Sequence, residues 1–570
     1  MRPVRLGIAL SLVLSLFIPA PAAHAEPGDL DATFGGTGLV VADLDPRVGN
    51  LGGVAVREDG KIIVAGSAGP NGSPFPPAAD ELRVMRYNPD GSLDTTFSGD
   101  GVDSVPISGS PFFTIVHVGL QSDEKIVVAY GGIGPWSVVR FLAGGGVDSS
   151  FGSGGTISVS PGTGSREFRH MALQPDDRIL LTGMATAVNP RDRVAIVRLT
   201  ADGTVDSGFG IGGAVLEPTP GTSPSADAVA VAPDGDVLLA GSAHPPGQNW
   251  SQFLLMRFTS AGTRESAFGS DGYAHADFEI GGIARAIGVD PLGRILLAGF
   301  APDPDDTSGN EVADFAAARF LDAGGLDPAF GTEGLTRVHV GDTLNVPGDL
   351  SVQPDGSVLL GGYREGASTV EDAWAVVSLT EDGVADSSFG TGGVAITQIA
   401  GGGRILGMDL NPELRLMAVG KAGGDLAVAR YETGATAPPV PDTEPPTSTI
   451  TRPKDGATYS RSRIREFRGT AGDGDSGVAQ VDIALLSRGV DGSCSWWNGT
   501  AFVAGTCATK VWLLATGTDT WSYVLPRRLA ASTGSSPIQS YGLYARATDP
   551  AGNLEIVRTF GQNANKFDAS

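Results

Sequence analysis

Few residues in this chain are equipped for chemistry. There are six histidines and two cysteines in 570 residues. No Gly-x-Ser-x-Gly elbow, His-Glu-x-x-His pair, phosphate loop or EF-hand loop occurs. What stands out is positional. Six residues before the turn of each of seven recurring hairpins lie Gly53, His117, His170, Ala228, Ala286, Asp349 and Gly407. One position earlier come Arg169, Asp227 and Arg285. If equivalent positions of a repeat converge on an axis, His117, His170 and Asp349 sit near its mouth. Two imidazoles and a carboxylate that reach a common point can hold a metal ion; otherwise they line a wet polar channel. A second set lies in connections of variable length: Phe75 within 67–81, Trp250 within 243–251, and Asp303, Asp305 and Asp306 within 301–314. Aromatic and acidic groups on variable loops suit ligand contact, and solvated spacers contain them too.

The elements that must position these residues repeat along the chain. The signature Leu/Val-Asp-x-x-Phe-Gly-x-x-Gly recurs with its Phe at 34, 97, 151, 209, 268, 330 and 389, a period near 59. A Gly stands four residues after every Phe, and an acidic residue three before it. The Phe has the size to fill a gap between neighbouring sheets, and the Asp can fix a turn through backbone hydrogen bonds. An acidic residue present at every copy points to scaffold, not to seven active sites. Between signatures, runs such as Val231-Ala-Pro-Asp-Gly-Asp-Val-Leu-Leu-Ala-Gly241 set Asp-Gly between two apolar stretches, a strong hairpin signal. A third strand follows, and the segment after the signature supplies a fourth. Four short strands at this period describe propeller blades.

The signature and hairpin resemble the bacterial delta-60 repeat family over about residues 30–431. Local departures are Ser98 after Phe97, Arg264-Glu265 in place of Leu-Asp, and Ser378 in place of a third-strand Arg. The resemblance implies a propeller-like architecture and no defined activity. The order of the strands is also similar to NHL-repeat propellers, in which the first strand of each blade lines the axis. On that phasing the seventh blade holds only three strands. Its fourth must come from residues 30–43, which carry the unpartnered first signature.

The expected fold class is all-β, with a seven-bladed β-propeller followed by an Ig-like β-sandwich. The domains are a signal peptide at 1–25, the propeller at 26–432, a Pro-rich linker at 433–446 and the sandwich at 447–570. In the last of these the phrases DTEPPT, GTAGDGDSGVAQVDIAL and YARATDPAGN resemble bacterial Ig-like modules. Cys494 and Cys507 bracket Trp496, Trp497 and Phe502 there. In an exported protein, two such thiols are expected to form one disulfide. The aromatics then either pack in the core or stack on sugar from the surface. Asp473, Asp475 and Asp549 could line a calcium site or simply shape acidic turns.

Arg2 and Arg5, the apolar stretch from Leu6 to Pro19 and the Ala-His-Ala at 23–25 make a secretory signal pattern. The expected location is secreted or extracellular, with cell-surface association open. The formal charge of −25 repels phosphate backbones, so nucleic acid is not an expected partner. Membrane insertion is not expected, and the chain is expected to be a monomer. No cofactor is required, with calcium the one ion the acidic groups could hold. Two function classes stay open: a non-catalytic binding or adhesion protein for an extracellular protein or carbohydrate, and a secreted propeller hydrolase or lyase with its site at the axial mouth.

Overall fold

The computed structural model describes residues 25–42, 47–50, 52–70, 81–107, 115–164, 166–186, 192–218, 224–245, 247–248, 250–306, 312–435, 445–460, 463–473, 477–489, 491–526, 529, 539–549, 553–556 and 563–569. The signal-peptide reading, Phe75, Asp475 and most of the Pro-rich linker lie outside them. The described residues are all-β, without a helix, and so without one long and apolar enough to cross a membrane. The chain divides into two compact units, Met1–Pro438 and Pro439–Ser570.

In the first unit, seven antiparallel sheets follow one another along the chain. The third is typical, with strands Arg166–Leu173, Ile179–Thr186, Asp192–Leu199 and Ala214–Pro218 paired in sequence order. Middle strands such as Val237–Ala243 and Gln252–Phe258 are buried at every residue. Each sheet is covered on both faces by its neighbours, which is why these strands read as continuous apolar runs and not as an alternation. The first strands of consecutive sheets touch one another in order, and Gly403–Leu410 of the last touches Val54–Val56 of the first. They form a closed circuit. Leu39–Ala42 supplies the outer strand of the seventh sheet, with Leu39 opposite Ala429 and Ala42 opposite Leu426.

The signature residues knit the sheets together. Every signature Phe is at most 2% exposed. Phe151 packs among residues of the second and third sheets, including Val138, Leu181 and Leu199. Its ring leaves no room for a side chain at Gly203, where a Cβ would come within 2.6 Å of it. The acidic residue makes the expected turn, as when Asp148 Oδ1 accepts from the Ser150 backbone N–H at 3.1 Å.

A third partner, the Arg of the third strand, was not assigned a task from the sequence. Arg140 donates to Asp148 at 2.9 Å, lies 4.7 Å above the Phe151 ring, and donates to the Ala201 carbonyl of the next sheet at 2.6 Å. Arg86, Arg198, Arg319 and Arg430 repeat the arrangement. Arg257 pairs instead with Asp234, Asp236 and Asp322, because its own signature carries Glu265.

The second unit has a three-stranded sheet of Thr447–Arg452, Glu466–Gly472 and Thr520–Val524, and a larger sheet built on Gln480–Arg488 and Gln539–Thr548. Phe467, Ile483, Trp521 and Leu543 are among its core residues. Cys494 and Cys507 are joined in a disulfide with 5.3 Å between their Cα atoms. Trp496 and Trp497 are 2% and 3% exposed, so the bracketed tryptophans pack inward and offer no stacking surface. Asp549 accepts two hydrogen bonds from Asn553, as an acidic turn does.

Candidate functional site

The first strands of the seven sheets begin around a depression of about 440 Å³. Its lining includes Gly52, Val116, Arg169, Asp227, Arg285, Gly348 and Leu406. These are the seven equivalent positions, one from each sheet. His117 and His170, one residue later, line it too, whereas Asp349 does not. In four of the seven sheets a backbone irregularity sets the ring position. Pairing between first and second strands slips between Phe168 and His170, Ala284 and Ala286, Pro347 and Asp349, and Ile405 and Gly407. Each slip leaves one extra residue outside the ladder, and such bulges re-aim side chains. Arg169, Arg285, Gly348 and Leu406 are these extra residues.

The polar groups around the depression are arranged in pairs. Arg169 meets Glu167 at 3.0 Å, and Arg285 meets Asp227 at 3.1 Å. Arg404 donates twice to Asp372, at 3.0 and 2.8 Å, and lies 3.9 Å above the Tyr363 ring. His117 and His170 come together, with ring centroids 4.2 Å apart. His117 Nε2 lies 2.9 Å from the Arg169 carbonyl, so this nitrogen carries the proton and donates. Burial pushes the His117 imidazole down to about 4, against the opposing effect of that hydrogen bond. His170 is pushed well below its ordinary range by burial and then by His117. Both rings are therefore neutral at pH 7. Three buried polar atoms of the lining have no partner among the described residues: Arg169 Nε, His170 Nδ1 and Asp227 Oδ2. Buried polar atoms are ordinarily satisfied, so these three are an unusual cost at the floor of the depression.

Asp349 does not join the histidines. It accepts from its own neighbour Leu350 N–H and from Met408 N–H on the next first strand, both at 2.8 Å. Asp409 does the same one sheet further on, accepting from Val56 N–H at 2.8 Å. These carboxylates bridge adjacent strands.

Of the loop residues, Trp250 is 38% exposed. Asp303 accepts from Asp305 N–H at 2.9 Å, and Asp306 N–H reaches the Asp303 carbonyl at 3.3 Å. Asp303 also groups with Asp314 and His339, two residues that the sequence reading passed over. Their sequence separation from Asp303 hid the grouping, since strand pairing alone brings them together. Arg404 and Tyr363 were missed for the same reason.

A family model described as a domain of unknown function (DUF5122) β-propeller matches residues 57–97 and 174–209. Each match runs from a first hairpin through a signature Phe. No curated protein matches the chain. Among solved structures, a polysaccharide lyase (ulvan lyase) is 11% identical over 69% of this chain and 96% of its own, with a TM-score of 0.44. A glucose dehydrogenase is 13% identical over 55% and 94%, at 0.33. NanB sialidase from Streptococcus pneumoniae is 8% identical over 69% of each chain, at 0.32. At these scores the likeness carries neither an activity nor a ligand. The all-β sheets in series and the family match together define a propeller-type protein.

Proposed function

We propose that this is an exported seven-bladed propeller with an Ig-like module, and that it binds a carbohydrate bearing acidic groups at the axial depression. Seven serial sheets with a closed circuit of first strands support the blade count. The signal pattern and the disulfide support export. The observation that carries the ligand reading is the ring itself. Equivalent positions from all seven sheets meet at one depression of about 440 Å³, and three buried polar atoms there lack partners among the described residues.

Sugar hydroxyls both donate and accept, so they suit a lining that mixes guanidinium, imidazole and carboxylate groups. Three guanidiniums line the depression, Arg169, Arg285 and Arg404, paired with Glu167, Asp227 and Asp372 in turn. A carboxylate or sulfate on the sugar would share or exchange with those partners, since Arg binds such groups with two parallel hydrogen bonds. The neutral histidine pair keeps a second reading open, a lyase or hydrolase in which an imidazole takes a proton.

Leu406 is on the ring and 38% exposed, so changing it perturbs the field with little cost to the fold. Calorimetric titration of the protein beginning at Glu26 with an oligoglucuronate should show binding that Leu406→Glu weakens at least about tenfold, equivalent to ~1.4 kcal/mol. Leu406→Lys should keep or tighten it. Equal affinities in both variants would contradict the site. Shortening of the oligosaccharide during the titration would favour the enzymatic reading.

A further inference from the structure

Apart from the axial ring, a second cluster of chemistry-bearing side chains comes together among the described residues of the first unit. It lies on the fifth sheet, at the end where the second strand Ile295–Pro302 gives way to the third, Ala313–Phe320. Asp303 follows the second strand directly. Asp314 lies on the third strand opposite Ala301, so Asp303 is its diagonal neighbour on the same face. The fourth strand ends at Val338, opposite Phe315, which brings the next residue, His339, level with Asp314. Three adjacent segments of one sheet thus present two carboxylates and one imidazole in a row. One ligand atom from each lies within 4.8 Å of the other two, with His339 Nδ1 and Asp314 Oδ1 at 3.0 Å. That separation matches the edge between neighbouring donors around an ion bonded at about 2.1 Å.

A separate observation asks for a cation here. Asp314 is 5% exposed. A buried carboxylate is ordinarily paired or bound to a metal. Other buried aspartates have arginine partners, as Asp148 has Arg140 and Asp372 has Arg404. Among the described residues, no Lys or Arg forms an ion pair with Asp303 or Asp314. The contacts of Asp314 with basic groups are the imidazole of His339, which is 53% exposed, at 3.0 Å and the more distant charge of Arg337.

We propose that Asp303, Asp314 and His339 form a binding site for a divalent transition-metal ion of the zinc or manganese class, with water completing the coordination. The donor set selects the class. Calcium and magnesium take oxygen ligands, whereas an imidazole among carboxylates suits zinc, manganese, cobalt or nickel. The site is separate from the axial ring and does not depend on the carbohydrate reading.

The test is calorimetric titration of the chelator-treated protein beginning at Glu26 with zinc chloride, and separately with calcium chloride. One zinc ion per chain is expected, with no comparable calcium binding. His339→Ala, an exposed change at a strand end, should weaken zinc binding at least about tenfold while leaving the melting temperature of the metal-free protein unchanged. Asp303→Asn should do the same. Zinc binding that persists in both variants, calcium binding as tight as zinc, or no zinc binding by the wild-type protein would overturn the assignment.

Discussion

Asp349 and His117 share the interior of the first-strand circuit, and their protons respond to it in opposite senses. Burial pushes the Asp349 carboxyl up to about 7, with the nearby Asp409 charge adding to it and the N–H groups of Met408 and Leu350 opposing. Between about pH 4 and 7 the folded chain keeps this proton while the unfolded chain has lost it. The contribution of Asp349 to stability therefore falls as pH rises through that window. His117 works the other way. Its folded value of about 4 lies below the ordinary 6.5, so its contribution is lost as pH falls from about 6.5 to 4. Because the two partly cancel, the useful quantity is a difference. Thermal midpoints of wild type and Asp349→Asn measured from pH 4 to 7 should converge or cross, with the variant gaining relative stability as pH rises. A constant offset would mean the carboxyl titrates normally. The presence of polar residues at the strand entries was legible from the repeat alignment. That Asp349 stays out of the depression while Arg169, Arg285 and Leu406 line it was not, because the bulges beside them leave no mark in the residue pattern.

At the scale of elements, the signature Asp, the signature Phe and the third-strand Arg act as one clasp between sheets. Arg140 ties Asp148, covers Phe151 and reaches the next sheet at Ala201. Burial raises the Asp148 carboxyl, but the Ser150 hydrogen bonds and the Arg140 charge outweigh it and hold the group at about 2. The unfolded value is near 3.8, so this stabilisation is complete above about pH 4 and is lost as pH falls towards 2. Arg140→Ala leaves a buried carboxylate with only Lys125 at 3.6 Å and the Ser150 hydrogen bonds, a change that costs up to about 3–5 kcal/mol. Chemical denaturation at pH 7 should show a loss of that size, shrinking as pH approaches 2; a loss under about 1 kcal/mol would assign the stability to Phe151 alone. The Phe and Asp tasks followed from residue type and recurrence. The Arg task did not, because its carbonyl acceptor lies some sixty residues away on the next sheet and no local pattern points to it.

For the whole first unit, closure depends on residues from both ends of the repeat series. Leu39–Ala42 pairs with Asp425–Tyr431, and Arg430 donates to Asp31 at 2.7 Å while lying 5.1 Å from the Phe34 ring. Deleting residues 30–42 removes Phe34, worth about 3–5 kcal/mol on its own, together with the strand. The thermal midpoint should drop by roughly 10 °C or more, and an unchanged midpoint would show that the circuit does not need this strand. The leftover signature at Phe34 made this pairing readable before any coordinates, since seven signatures but only six complete four-strand sets follow it. Arg404, Tyr363 and the partnerless atoms of the depression emerge only in three dimensions. The central claim is that this depression, where all seven sheets meet, takes an acidic carbohydrate. It is tested most directly by a crystal structure of the protein beginning at Glu26 with a bound oligoglucuronate. Sugar density is expected over the axial depression, with an acidic group against Arg169 or Arg285 and a hydroxyl near Asp227; density confined to residues 447–570 or to the Asp-Gly hairpin ends of the sheets would rule this site out.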